Sequence, residues 1–308
     1  MSLHPYQPPV DALLSYGPCE VNQARNWPDD VQKSGILADQ IPALIQMAQD
    51  GDLWAFFEGD NRRAEEFVAA GLDPDLLAWA PLHAIRTLGQ LRAVEAIPVL
   101  AQVLEQRDYD WCWEEIPQAI GLMGVGALDP IEALLATKLN YNHKISLVGA
   151  IGYIAKADPD LRDQCVEVLT RQLSRYKNHH RSVNGALVTE LYDLEAIESV
   201  AVMEEAYQAK KVDEMFVGSW PKVQVDLGLK QESDFTPEEL SIHYTLAQQA
   251  MMDNIWAILD KKQRIAAQAG ILELKAMAPQ RNTAPRRRNE GFGRTAQGNP
   301  KKGKKKKK

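Results

Sequence analysis

The sequence predicts an all-α fold, a solenoid of stacked helical hairpins, and three observations carry that prediction. Residues 79–104 hold two amphipathic helices back to back across a short turn at 89–92, with Leu82, Ile85 and Leu88 on the first and Ile97, Leu100, Val103 and Leu104 on the second. A small-apolar pair recurs as Ala84-Ile85, Ala119-Ile120, Ala150-Ile151 and Ala186-Leu187, at intervals of 35, 31 and 36 residues. Strand-like alternation is confined to Val223, Val225 and Leu227, too short a run for a sheet. A single hairpin cannot bury both of its apolar faces, so an all-helical repeat of this length means a stacked array.

The elements follow in chain order. Residues 1–36 carry four prolines before position 20 and little periodicity. Within them 10–16 predicts a short helix, and Trp27-Pro28-Asp29-Asp30 a turn that opens another. Residues 36–49 predict a helix with Leu37, Ile41, Leu44, Ile45 and Ala48 on one side, ended by Asp50-Gly51-Asp52. Residues 62–70 predict the next, capped by Gly71. The second helices of the four repeats are expected at 93–105, 127–138, 159–176 and 194–210. Asp73-Pro74, Asp129-Pro130 and Asp158-Pro159 each set an acceptor before a proline, which marks a helix start. Thr236 with Glu239 reads as a capping box for a helix from 237 to about 259, followed by a helical stretch at 261–277. The chain thus divides into an N-terminal helical cap (1–78), a repeat array (79–230), closing helices (231–278) and a Lys/Arg-rich tail (279–308). The tail has no apolar periodicity to bury and is predicted to be disordered.

Composition narrows the function classes. No stretch of the 308 residues approaches the ~20 apolar residues that a membrane helix needs. The first residues, Met1-Ser2-Leu3-His4-Pro5, lack the basic and apolar regions of an export signal. Cys19, Cys112 and Cys165 are far apart and odd in number, and they read as reduced thiols in a cytoplasmic protein. Cys112 and Cys165, on helical stretches, are expected to be small buried hydrophobes. Charge is split unevenly. Residues 279–308 hold twelve Lys or Arg against Glu290 alone, a net of +11; the whole chain is −7, so residues 1–278 carry −18.

Two constellations stand out. Asp108-Tyr109-Asp110-Trp111-Cys112-Trp113-Glu114-Glu115 reads as a loop between the first two repeats, with three aromatics among four carboxylates. Rings as anchors and acids for steering suit a basic or mixed protein partner, so Tyr109, Asp110, Trp111, Trp113, Glu114 and Glu115 form a candidate protein-binding set. The plainer reading makes the tryptophans packing anchors and the acids helix caps. Paired acids also serve general acid–base catalysis, but no nucleophile or phosphate loop accompanies them, and no reaction is assigned. The second constellation is the tail. Arg286, Arg287 and Arg288 precede Lys301, Lys302, Lys304, Lys305, Lys306, Lys307 and Lys308, a set suited to neutralising phosphates. Phe292 is the sole aromatic in residues 279–308, so attraction by charge is indicated rather than base stacking. RNA, ribosomes, acidic proteins or the acidic body itself are its candidate partners.

No metal or cofactor is expected. His83 lies inside the first repeat helix, His143 opens the third repeat and His179-His180-Arg181 the fourth, with no Cys-x-x-Cys or His-Glu-x-x-His spacing anywhere. Gly121, Gly124 and Gly126 follow no strand and lack the spacing of a nucleotide loop.

The helical pairs resemble HEAT repeats, specifically the short type named after phycobilisome lyases. Asp163-Gln164-Cys165-Val166-Glu167-Val168-Leu169, Asn184-Gly185-Ala186-Leu187-Val188 and Phe216-Val217-Gly218-Ser219-Trp220-Pro221 carry a resemblance, over residues 37–230, to a group of bacterial HEAT-like proteins without settled biochemistry. Many of those end in a SecA-C-type zinc tail. Arg288-Asn289-Glu290 and the final lysines are similar to the two ends of that tail, but Gly291-Phe292-Gly293-Arg294 stands where its cysteines belong. The resemblance therefore implies a basic tail without zinc. The repeat architecture and the charge split, rather than the resemblance, point to a non-catalytic protein-binding scaffold or adaptor. The alternative that the resemblance implies is a bilin lyase or chaperone-like factor acting on a phycobiliprotein client, holding the pigment on a surface such as Asp110, Trp111 and Trp113.

Overall fold

A computed structural model describes residues 5–20, 23–107 and 110–268. The described residues form helices and turns with no strand among them. They fall in two compact units, Met1–Tyr244 and Thr245–Lys308. In the first unit a helical turn at Val10–Ser15 precedes five short helices: α1 (Asp30–Ser34), α2 (Ile41–Ala48), α3 (Gly51–Phe57), α4 (Ala64–Ala69) and α5 (Pro74–Leu77). Four hairpins follow. They are α6 (Ala80–Gln90) with α7 (Ile97–Gln106), α8 (Asp110–Leu122) with α9 (Leu128–Leu135), α10 (Tyr141–Ala157) with α11 (Arg162–Leu173), and α12 (Arg181–Asp193) with α13 (Val200–Gln208). Helices α14 (Trp220–Asp226) and α15 (Pro237–Leu240) end this unit, and the second unit holds α16 (Leu246–Gln268).

Helix α2 and the first helices of the hairpins pack in chain order: α2 on α6, α6 on α8, α8 on α10 and α10 on α12. The second helices do the same, α7 on α9, α9 on α11 and α11 on α13. Small residues allow the close approach. A Cβ at Gly89 would collide with the backbone of Ala119, and one at Gly121 with Tyr153. The turns that close α6, α8 and α12 each use one left-handed residue, Arg92 (φ 55°), Gly124 (φ 72°) and Glu195 (φ 51°). For Arg92 and Glu195 that costs about 1 kcal/mol each. Burial outweighs it: Leu82, Ile85 and Leu88 on α6 alone are fully buried, and each such side chain contributes about 1.5–3 kcal/mol.

One hydrophobic cluster runs from Tyr6 and Leu13 through to Val217 and Val223. The expected boundary at 78/79 is therefore no break in the core, since Trp54, Phe56 and Phe67 share it with the hairpins. Residues 17–20 and 23–29 are held on α6 and α8 by polar side chains. Ala24 N–H donates to Gln118 Oε1 at 2.7 Å, Gln90 Nε2 to the Pro28 carbonyl at 2.7 Å, and Arg86 Nη2 to the Glu20 carbonyl at 2.8 Å.

Side-chain caps open several of the helices. Asp50 accepts from the N–H groups of Asp52 and Leu53, Asp73 from Asp75, and Asn140 from Asn142. Asp158 accepts from Asp160 and opens a helical turn at Pro159–Leu161 ahead of α11. Two expected starts differ. Asp129 lies inside α9, because a helical turn at Gly124–Ala127 feeds that helix before its aspartate is reached. Thr236 and Glu239 do form the reciprocal capping box, yet the helix ends at Leu240, and Ser241 is extended (ψ 158°). A second reciprocal pair restarts the helix. Thr245 N–H donates to Gln248 Oε1 (2.9 Å) and Gln248 N–H to Thr245 Oγ1 (3.3 Å), and α16 then runs through the break expected near 260. The part of the 261–277 stretch beyond 268 lies outside the described residues. No helix among the described residues is long and apolar enough to cross a membrane.

Candidate functional site

The first helices of the hairpins carry the chemistry. Helix α8 begins at Asp110, so the aromatic–acidic stretch is helical over 110–115 rather than a loop. Helical spacing then splits it. Cys112, Glu115, Ile116 and Ala119 share the buried face, while Asp110 and Glu114 are exposed and Trp111 and Trp113 are half-buried. Tyr109 lies outside the described residues, as do Arg286, Arg287, Arg288, Lys301, Lys302, Lys304, Lys305, Lys306, Lys307 and Lys308.

Glu115 is corrected from a surface residue to a buried ion-pair partner. Arg86 Nε donates to its Oε2 and Arg86 Nη2 to its Oε1, both at 2.7 Å, and both side chains are almost wholly buried. Two charges removed from water need this parallel geometry to offset their lost hydration. The guanidinium also lies over the Trp27 ring, 4.7 Å from its centroid. Beside it, His83 Nδ1 lies 3.0 Å from Asp30 Oδ2, and Nε2 lies 2.9 Å from the Gly17 carbonyl and 3.6 Å from Cys19 Sγ. A carboxylate and a carbonyl can only accept, so both ring nitrogens donate and the imidazole is the doubly protonated cation. Burial opposes that charge, but Asp30, Cys19 and the Gly17 carbonyl outweigh it and raise the pKa to about 9. Cys112 and Cys165 are buried thiols, and burial pushes their pKa values up to about 12 and about 11.

Aromatic rings line the hairpins near the starts of the first helices. Phe57, Trp79 and Trp111 meet edge to face at 5.4 and 5.2 Å. Trp111 is therefore partly a packing residue, each such contact contributing about 0.5–1.5 kcal/mol. Trp113 faces His143 of α10 at 5.7 Å. Tyr141, the first residue of α10, stacks on His180, the cap of α12, at 4.1 Å and 20°. Further along α12, the Glu190 carboxylate lies against Gly152, where a Cβ would collide with it. Its Oε2 is buried without a hydrogen-bond partner, with Lys156 Nζ 4.0 Å away. Burial raises the Glu190 pKa to about 7, partly offset by Lys156.

Tyr141, His180, Glu190 and Arg86 stand apart from the candidate set read from the sequence. A signal for the first two is present in it: residues 133–157 and 168–189 contain no Asp or Glu in an otherwise acidic body. Nothing in the sequence marks Glu190, because its burial depends on Gly152 in another hairpin. Among the described residues no group of three or more His, Cys, Asp or Glu side chains is arranged to hold a metal ion. No family model matches the chain, and no curated protein or solved structure is similar to it.

Proposed function

We propose that this chain is a HEAT-like α-solenoid that works as a non-catalytic protein-binding scaffold in the cytosol. The observation that carries the reading is the chain-order packing of α2, α6, α8, α10 and α12, with α7, α9, α11 and α13 packed in order beside them. Two such rows, each helix packed on the next, suit an extended surface offered to a partner. The half-buried Trp113 with the exposed Asp110 and Glu114 is the protein-contact patch, the ring as anchor and the carboxylates for steering. Free, buried cysteines suit a reducing compartment. The basic tail adds attraction to RNA, ribosomes or acidic proteins, a part of the reading that rests on charge alone.

The test is affinity capture with the full chain and a Trp113→Ala/Glu114→Lys variant. A partner recovered by the parent chain and lost by the variant supports the patch. Equal recovery of the same partners by both contradicts it.

A further inference from the structure

The loops entering α10 and α12 gather cations that no carboxylate neutralises. Elsewhere in the first unit Arg63, Arg86, Arg107, Arg162, Arg171 and Lys222 hold carboxylate partners, and among the described residues Arg25, Lys33, Arg92, Lys210, Lys211 and Lys230 do not. Among the described residues none of Lys138, Lys144, Arg175, Lys177 and Arg181 forms an ion pair. Two of the five are held by backbone carbonyls instead, Lys144 Nζ by Leu135 at 2.7 Å and Arg181 Nη2 by Val212 at 2.9 Å. The two loops adjoin, since Tyr141 stacks on His180. Like charges crowd here. Burial, and then the charges of Lys144 and Arg175, lower the pKa of His179, and burial lowers that of Lys144. Nearby carboxylates are engaged: Glu132 takes Arg171 and Gln172, and Asp213 accepts from Ser182 Oγ at 3.0 Å.

We infer that this edge of α10 and α12 binds single-stranded RNA, independently of the tail. Rings and cations are mixed along the two loops and the helix starts that follow them, Lys138 then Tyr141, His143 and Lys144, and Arg175 then Tyr176, Lys177, His180 and Arg181. Phosphates take the cations, and bases stack on the rings, of which Tyr141 is 42% exposed. An acidic peptide would use the cations and leave the rings idle. The net charge of the body does not forbid this, because screening at physiological salt limits a charge's reach to about 8 Å.

The experiment uses the full chain with the tail lysines and arginines replaced by glutamine, and a fluorescein-labelled oligouridine read by anisotropy over a salt series. Binding persists in this chain. Adding Lys138→Gln and Lys177→Gln weakens it and lowers the slope of log affinity against log salt by about 1.4. Tyr141→Ala weakens it at least about five-fold, and circular dichroism reports an unchanged fold in each variant. Loss of binding on neutralising the tail, indifference to the loop substitutions, or displacement by polyglutamate as effective as by unlabelled oligouridine overturns the inference.

Discussion

Arg86 and Lys177 are cations of the same unit, and they stand for two uses of charge. Arg86 is buried, held by two hydrogen bonds to Glu115, one to the Glu20 carbonyl and the face of Trp27. Lys177 is exposed, with the adjacent Tyr176 ring as its neighbour. Around Arg86, with His83 and Asp30, every charge has an opposite, and Gly17, Glu20 and Asp30 are fastened to α6. Around Lys177 the cations outnumber their partners. Charges satisfied inside the protein hold a fold together, whereas charges left unsatisfied at its surface have only solvent or a ligand to answer them.

Substitutions can break this contrast, and the largest effect belongs to the buried pair. Arg86→Ala is expected to lower stability by about 3–5 kcal/mol in urea denaturation, because it strands the Glu115 carboxylate. The double replacement Arg86→Met/Glu115→Leu loses less, since no charge is then stranded. Equal losses would mean that packing rather than charge pairing matters at this position.

His83 tests the same network through pH. Its folded pKa of about 9 exceeds the ordinary 6.5, so the stability it contributes is complete below pH 6.5 and is lost as pH rises through 9. The full span is about 3 kcal/mol. Thermal melts of the parent chain and His83→Gln should diverge below pH 6.5 and converge above pH 9. A constant gap between them would show that the imidazole is not protonated in the folded state.

Glu190 gives a slope from the opposite kind of group. Its folded pKa of about 7 lies above the ordinary 4.5, so the folded protein loses stability as pH rises from 4.5 through 7. Glu190→Gln removes that penalty. It should match the parent at pH 4.5 and be more stable at pH 8, by up to about 3 kcal/mol. A variant that is less stable at pH 8 would show that the Lys156 contact outweighs the cost of burial. The smallest effect is expected at the edge, where Lys138→Gln and Lys177→Gln should leave stability within about 0.5 kcal/mol.

Much of the helical layout was legible in the residues. Periodicity found the hairpins, and the recurring Ala-Ile pairs found the helices that stack on one another, because close approach demands small residues wherever it occurs. Turn chemistry is less legible. Asp129 has the pattern of a cap and is not one, since backbone geometry upstream decides where α9 begins. Thr245 with Gln248 was a readable capping box that lay hidden inside a longer apolar pattern. The site was the least legible part. The acid among aromatics at 115 reads as surface by composition, yet its position relative to Cys112 and Ile116 places it on the inner face. Its partner Arg86 is 29 residues away in the chain, and local patterns carry no information about such pairs. The cations of the α10–α12 edge are split between two hairpins, so their accumulation emerges only when α10 packs on α12.

The most direct test is hydrogen–deuterium exchange on the tail-neutralised full chain with and without oligouridine. Slowed exchange should be confined to residues 136–144 and 174–181, with residues 17–30 unchanged. Unaltered exchange at both loops, or slowing as strong at 17–30, would contradict the division between charges that hold the fold and charges that bind.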